Sequence, residues 1–187
     1  MNIFLDTLSP KNILILFDDN KNILQKYLFD VRLNESTKLI EEFDNFLKQN
    51  NLNYNDLKNI IVVNGPGSFT GIRTTILLVN TINFIIKGNI TTLTYFDLFE
   101  NYPIIKTSSK RDSFLKLEKD SAIEVVENTK LNDLFKTKNI KQIYSDINLI
   151  DGINIISEPN YEYIIKNLQF KENKIVEPFY FKKPNIC

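Results

Sequence analysis

Apolar runs and polar breaks divide the first half of the chain into strands and helices. One run, residues 60–63, has no polar alternation, which is typical of a strand buried on both faces. The predicted strands of this half cover residues 3–6, 13–17, 25–31, 60–63 and 90–94. The polar residues 18–22 suit a hairpin between the second strand and the third.

Two helices are predicted between these strands. In residues 36–49, apolar side chains recur at three- and four-residue spacing opposite a polar side, and Asn34 or Ser36 is placed to cap the helix. The second helix covers residues 70–87, with Gly88 at the position of a left-handed cap. A short helical piece follows at residues 96–101.

The second helix is apolar nearly all round, so one sheet cannot cover it. Ile72, Ile76, Val79 and Ile86 form one stripe, and a second stripe of Leu78, Ile82 and Ile85 lies about a third of a turn away. Either the helix is sandwiched in a larger core, or it offers its second face to another chain.

The second half carries weaker patterns. Strands are predicted at residues 104–107, 114–117, 122–126 and 140–144, and helices at residues 131–136 and 161–168. This order is a reduced copy of the first half, although no residue-level repeat supports a duplication. We predict two lobes, residues 1–101 and a smaller lobe with a C-terminal tail at residues 102–187.

A glycine-rich loop joins the buried strand at residues 60–63 to the second helix. Its glycines allow close backbone approach, and Ser68 or Thr70 is placed to cap the helix. A helix start of this kind also suits an anion, but the loop has neither the Walker A ending nor dinucleotide spacing. Arg73 lies in the first helical turn, where the helix dipole disfavours a cation, so a carboxylate of this chain, a partner's carboxylate or a ligand should compensate it.

The composition limits the kinds of binding and catalysis that the chain is able to carry out. The chain has 23 Lys and Arg against 23 Asp and Glu, so no net field draws it onto a nucleic acid or an anionic membrane. It has no histidine, and its one cysteine is Cys187, which excludes Ser-His and Cys-His pairs and any thiolate metal cluster. We predict no catalytic, cofactor-binding or metal-binding residue, no membrane span and a cytoplasmic location.

The loop and the residues around it resemble the TsaB (YeaZ) family. The resemblance rests on Asn64-Gly65-Pro66-Gly67-Ser68-Phe69-Thr70-Gly71-Ile72-Arg73, with support from Asp6-Thr7 at the end of the first strand and Glu177-Pro178-Phe179-Tyr180-Phe181 near the C-terminus. It covers the first lobe well and is thin afterwards.

The resemblance implies an α/β fold of the actin/Hsp70/sugar-kinase (ASKHA, ribonuclease H-like) type with a reduced second lobe. It implies a non-catalytic subunit that pairs with a TsaD-like catalytic subunit, is joined by a TsaE-like ATPase, meets tRNA indirectly, and supports threonylcarbamoylation of adenosine 37 in tRNAs reading codons that start with A. In such a pairing the two helices of the first lobe pack against the partner. The expected interface residues are Leu39, Phe43, Ile72, Ile76, Val79, Ile82 and Asn83.

Three alternatives stay open. A kinase-like or ATPase-like enzyme needs a phosphate loop after Asp6, but Leu8 stands where a glycine would let the backbone wrap a phosphate. A peptidase lacks histidine and a metal-ligand cluster. A self-associating regulator would use the same apolar helices to close a homodimer when the partner is missing.

Overall fold

The computed structural model describes residues 1–30, 35–146 and 152–181 and contains two five-stranded sheets. The first sheet has the order β3-β2-β1-β4-β5. Its strands are β1 (Asn2–Asp6), β2 (Asn12–Phe17), β3 (Ile23–Phe29), β4 (Asn59–Val63) and β5 (Asn89–Leu93). The β1–β2 and β2–β3 pairs are antiparallel, whereas β4 lies parallel to β1 and to β5.

The second sheet repeats this topology. Its strands are β6 (Ile104–Thr107), β7 (Asp112–Lys116), β8 (Glu124–Glu127), β9 (Gln142–Ser145) and β10 (Asn154–Ile156). Their order is β8-β7-β6-β9-β10, with antiparallel pairs on one side of β6 and parallel pairs on the other. The predicted similarity between the two halves is therefore confirmed for the topology of the sheets.

Four helices accompany the sheets in the described residues. They are α1 (Glu35–Gln49), α2 (Phe69–Ile86), α3 (Asn128–Thr137) and α4 (Tyr161–Asn167). Residues 146–153 join β9 to β10, whereas residues 64–88 join β4 to β5 and include α2. The connection between β9 and β10 is therefore much shorter, and this is where the second half is reduced.

The predicted elements are confirmed with small shifts of their bounds, β10 was not predicted, and two details differ. The short helical piece predicted at residues 96–101 is a 3-10 helix at Tyr95–Leu98 and ends three residues earlier. The left-handed residue that ends α2 is Lys87, with φ 54°, and not Gly88. A Cβ at Gly88 would collide with the carbonyl oxygen of Lys58, so this glycine permits close packing. The predicted strand end Val31 and the predicted caps, Asn34 and the Ser36 side chain, lie outside the described residues.

The main core joins the two lobes, because alternate residues of the second sheet face opposite sides. Ile105, Leu115 and Ile143 pack with Leu131 and Phe135 of α3 in a small separate core. Their sequence neighbours on the other side of the sheet belong to the large core of the first lobe; these are Ile104, Phe114 and Tyr144. Burial of both faces fixes the register of these strands.

The C-terminal part of the chain returns to the first lobe. The large core includes Ile164 and Ile165 of α4 and Leu168 directly after it. The ring of Tyr161 packs edge-on against the ring of Phe4, with centroids 5.6 Å apart. The following residues 169–181, called the tail below, run along β5 and α2. Packing of the first lobe thus depends on residues from the far end of the sequence.

By length and composition, α2 is the one helix of the described residues that would be able to cross a membrane. This is weak evidence, because core helices of soluble proteins pass the same test. In this chain α2 packs against α1, β4 and β5.

Candidate interaction surface

Helix α2 has an apolar face that nothing in the described chain covers. Ser68 caps its start by accepting a hydrogen bond from the N–H of Gly71, as predicted for this residue. On the outward side, Leu77, Phe84 and Ile85 are 69%, 84% and 57% exposed. Together with the exposed Thr81 they follow helical spacing, and these four residues are called the α2 face below. Clustered exposed apolar side chains mark interaction sites.

The seven residues predicted to form the partner interface do not lie on the α2 face, and this prediction has to be corrected. Each of the seven is at most 3% exposed and belongs to the chain's own core: Leu39, Phe43, Ile72, Ile76, Val79, Ile82 and Asn83. These seven side chains of α1 and α2 fill the space between the two helices and their own sheet, so they are not available to a partner. A signal for the exposed face was present, because Leu77 and Phe84 are apolar and two helical turns apart.

The glycine-rich loop is held against the chain's own tail. Gly65 has φ 144°, and a Cβ on it would collide with the carbonyl oxygen of Phe179. The N–H of Phe179 donates to the carbonyl of Asn64 at 2.8 Å, and the Asn64 amide donates to the carbonyl of Glu177 at 3.0 Å. A Cβ on Gly67 would lie 2.8 Å from the Leu8 side chain. Two glycines of the loop therefore face protein atoms and not an open phosphate site.

The tail continues along α2 through paired hydrogen bonds. Asn80 donates to the carbonyl of Val176 at 2.9 Å and accepts from its N–H at 3.0 Å. One turn later, Asn83 donates to the carbonyl of Lys174 at 2.9 Å. These two asparagines explain why polar residues interrupt an apolar helix. The two segments that carry the family resemblance, the loop and residues 177–181, are thus in direct contact.

A groove of about 610 Å³ lies between the tail and the first half of α2. Phe69 packs on Tyr180 with ring centroids 5.0 Å apart and the two rings tilted by 34°. The Arg73 guanidinium lies 5.2 Å from the centre of the Phe69 ring. Among the described residues no carboxylate forms an ion pair with Arg73. Leu77 lines the groove and also belongs to the α2 face, so the two surfaces are continuous.

Comparison with known proteins supports the fold. No protein-family model and no curated protein matches the chain. Among solved structures, YeaZ from Pseudomonas aeruginosa matches 70% of this chain and 68% of its own, with TM-score 0.57 and 14% identity. An "uncharacterized protein with similarity to peptidase YEAZ from Pseudomonas aeruginosa" matches 97% of this chain and 99% of its own, with TM-score 0.68 and 12% identity.

This chain has the YeaZ fold. The resemblance to the TsaB (YeaZ) family is confirmed at this level, and the match to the second structure runs over nearly the full length of both chains. The backbone of the second half is therefore similar to that of the second solved structure, although its sequence resembles the family only weakly.

In this YeaZ-like chain the Asp6 carboxylate, at the end of β1, accepts four hydrogen bonds from groups of the chain itself. Asp6 is buried and accepts hydrogen bonds from the N–H groups of Leu8 and Ser9, from the Ser9 hydroxyl at 2.6 Å and from the Tyr161 hydroxyl at 2.9 Å. Burial, reinforced by Asp6, raises the pKa of Tyr161 well above its ordinary value, so this hydroxyl stays a donor. Four donors match the acceptor capacity of a carboxylate, which leaves none for Mg²⁺ or a phosphate-bound water.

A buried ion pair closes the space between the two sheets. The Lys106 ammonium donates to the Asp146 carboxylate at 2.7 Å and to the carbonyl of Leu8, and it lies 4.5 Å from the centre of the Tyr95 ring. Asp146 also accepts from the N–H and the hydroxyl of Thr107. Lys106 thus ties the loop after β1 to the second sheet. No group of three His, Cys, Asp or Glu that would hold a metal occurs in the described residues.

One prediction tests the contact between the loop and the tail. Replacement of Gly65 by alanine is expected to lower the free energy of unfolding by about 3 kcal/mol, because φ 144° and the Phe179 carbonyl both exclude a methyl group. Urea unfolding measures this loss, and trypsin cleavage after Lys171 and Lys174 should accelerate. The matched control is Gly152→Ala, at φ 74° with no atom within 4 Å of the added Cβ, which should cost only about 1 kcal/mol. Equal effects of the two variants would contradict the contact.

Proposed function

We propose that this chain is a non-catalytic scaffold or activating subunit of an ASKHA-type pair. Its partner is a TsaD-like catalytic subunit, and the pair carries out threonylcarbamoylation of adenosine 37 in tRNAs that read codons starting with A. A TsaE-like ATPase joins the pair, tRNA is met through the partner, and the location is the cytoplasm.

The observation that carries the proposal is the α2 face. Burying a large apolar side chain such as Leu77, Phe84 or Ile85 stabilises a complex by about 1.5–3 kcal/mol when burial is complete. A helix that exposes three such side chains beside a preformed groove is suited to protein association. The YeaZ fold and the loop at residues 64–73 connect this surface with the TsaB (YeaZ) family.

Two enzymatic alternatives find less support. The word "peptidase" in the name of the second solved structure describes the protein that this structure resembles, whereas the present chain has no histidine to activate a serine or cysteine nucleophile. For a kinase-like or ATPase-like enzyme, Asp6 would have to release its four donors before it bound a metal. A titration with ATP and Mg²⁺ tests this alternative directly, and saturable binding would favour it over a scaffold role.

The proposal is tested by replacing two residues of the α2 face. The double variant Leu77→Glu, Phe84→Glu is expected to weaken binding to the TsaD-like subunit of the same organism by on the order of 100-fold or more, because two charges would enter an apolar contact. Size-exclusion chromatography with light scattering detects the complex, and a calorimetric titration gives the Kd. Both positions are exposed, so the thermal transition of the isolated chain should stay near that of the wild type.

Leu28→Glu is the matched control, since Leu28 is also an exposed leucine but lies on β3. It should bind like the wild type. A tRNA modification assay with and without this chain completes the test. Absence of a complex between the wild-type proteins would refute the pairing, and a stable dimer of this chain alone that the double variant disrupts would favour the self-associating regulator.

A further inference from the structure

The groove between α2 and the tail carries the positive charge of Arg73, which no described carboxylate neutralises. We propose that this groove receives a helix of a second, different protein, and that an aspartate or glutamate on that helix pairs with Arg73. The proposal rests on the proposed function, because it specifies what the partner subunit must carry where it meets the α2 face.

Arg73 has no counter-charge among the described residues. It is the fifth residue of α2, just past the first turn, and α2 contains no acidic residue to offset it. No described carboxylate pairs with its guanidinium. An added negative charge at this point would therefore interact favourably with the arginine.

The guanidinium of the exposed Arg73 lies over an aromatic ring. Phe69 lies against it, and Tyr180 of the tail packs on Phe69 with its ring tilted by 34°. Burial raises the pKa of Tyr180 while Arg73 acts in the opposite direction, in agreement with their proximity. An arginine held on an aromatic ring loses less side-chain freedom on binding, and arginine with aromatic residues is the composition of interaction hot spots.

The shape of the groove favours a helix over an extended anion. Ile76, Leu77, Val176 and Pro178 give its lining a mainly apolar character, beside the polar Thr70, Thr74 and Asn80. The two hydrogen bonds between Asn80 and Val176 hold the tail wall in place. From Arg73 to Phe84 the surface extends about 16 Å along α2, which three turns of a partner helix would cover. The partner is therefore an amphipathic helix, apolar along its length and acidic near one end.

The test compares charge variants of Arg73 in complex with the TsaD-like subunit. Arg73→Glu is expected to weaken binding by about 30-fold or more, mainly through faster dissociation, and Arg73→Lys by a few-fold because lysine lacks the planar fork. Arg111→Glu is the matched control, since Arg111 is an exposed arginine immediately before β7 and its replacement makes the same change in charge. A partner variant with the acidic residue changed to arginine should restore binding to Arg73→Glu.

Each outcome decides between this inference and its rivals. Wild-type binding that Arg73→Glu and Arg111→Glu leave unchanged overturns the inference but retains the proposed function. No wild-type binding overturns both. If Arg73→Glu leaves the protein complex intact but reduces tRNA retention on it in a filter-binding assay, Arg73 contacts phosphate and the carboxylate pairing is refuted. If it instead abolishes a dimer of this chain alone, the occupant is a second copy and the inference is equally refuted.

Discussion

Replacing Val79 with glutamate is expected to unfold the isolated chain. Val79 is fully buried between α2 and its own sheet, so the new carboxylate would be enclosed without a partner. Burial of an unpaired charge of this kind costs at least about 4 kcal/mol, a large part of the 5–15 kcal/mol that stabilises an ordinary domain. Circular dichroism during heating should show loss of the cooperative transition or a fall in Tm of many degrees.

Two further variants serve as controls for this prediction. Val79→Ala removes only methyl groups and should cost about 2 kcal/mol with the fold retained. Leu77→Glu places the same charge two residues earlier on the same helix, at an exposed position, and should leave the thermal transition nearly unchanged. If Val79→Glu instead folds normally and only loses partner binding, Val79 belongs to an interface and the orientation of α2 described above is wrong.

Replacing Lys106 with methionine is the second change with a large expected effect. The variant keeps most of the buried volume but leaves the Asp146 carboxylate without its cation and the Leu8 carbonyl without its donor. Removal of one member of a buried ion pair costs about 3–5 kcal/mol. Urea unfolding should show this loss, and amide hydrogen exchange should accelerate at Thr107, whose N–H donates to Asp146.

Lys11→Met is the control for this variant. Lys11 also pairs with a carboxylate, that of Glu158, but both side chains are largely exposed, so no measurable change in stability is expected. Wild-type stability of Lys106→Met would show that the ammonium is hydrated and does not hold the two sheets together.

The sequence predicted those parts of the fold that depend on local pattern. The unbroken apolar run of β4 and the three- and four-residue spacing in α1 are such patterns, and both elements form where they were expected. β10 was missed, because a strand of three residues carries no periodicity. Tertiary contact, and not local propensity, decides whether so short a segment pairs.

The candidate surface was predicted only in part, for a physical reason. A helix that is apolar all round indicates burial on more than one side, but its pattern cannot show which side its own sheet covers. The seven residues predicted for the interface are buried, whereas Leu77 and Phe84, which were not predicted for it, are exposed. The contact between Asn64 and Glu177 is also outside the reach of pattern analysis, since 113 positions separate the two residues.

The return of the tail to the first lobe has a consequence for synthesis of the chain. The strands of the first sheet are complete at Leu93, yet Ile90 and Asn64 bond to Asn173 and Phe179 of the tail. At ordinary elongation rates this interval lasts roughly 4 to 17 seconds, during which the nascent first lobe lacks α4 and the tail. A stop codon late in the gene would therefore harm the N-terminal half of the protein, and a ribosome paused there would display a first lobe still lacking its last segment.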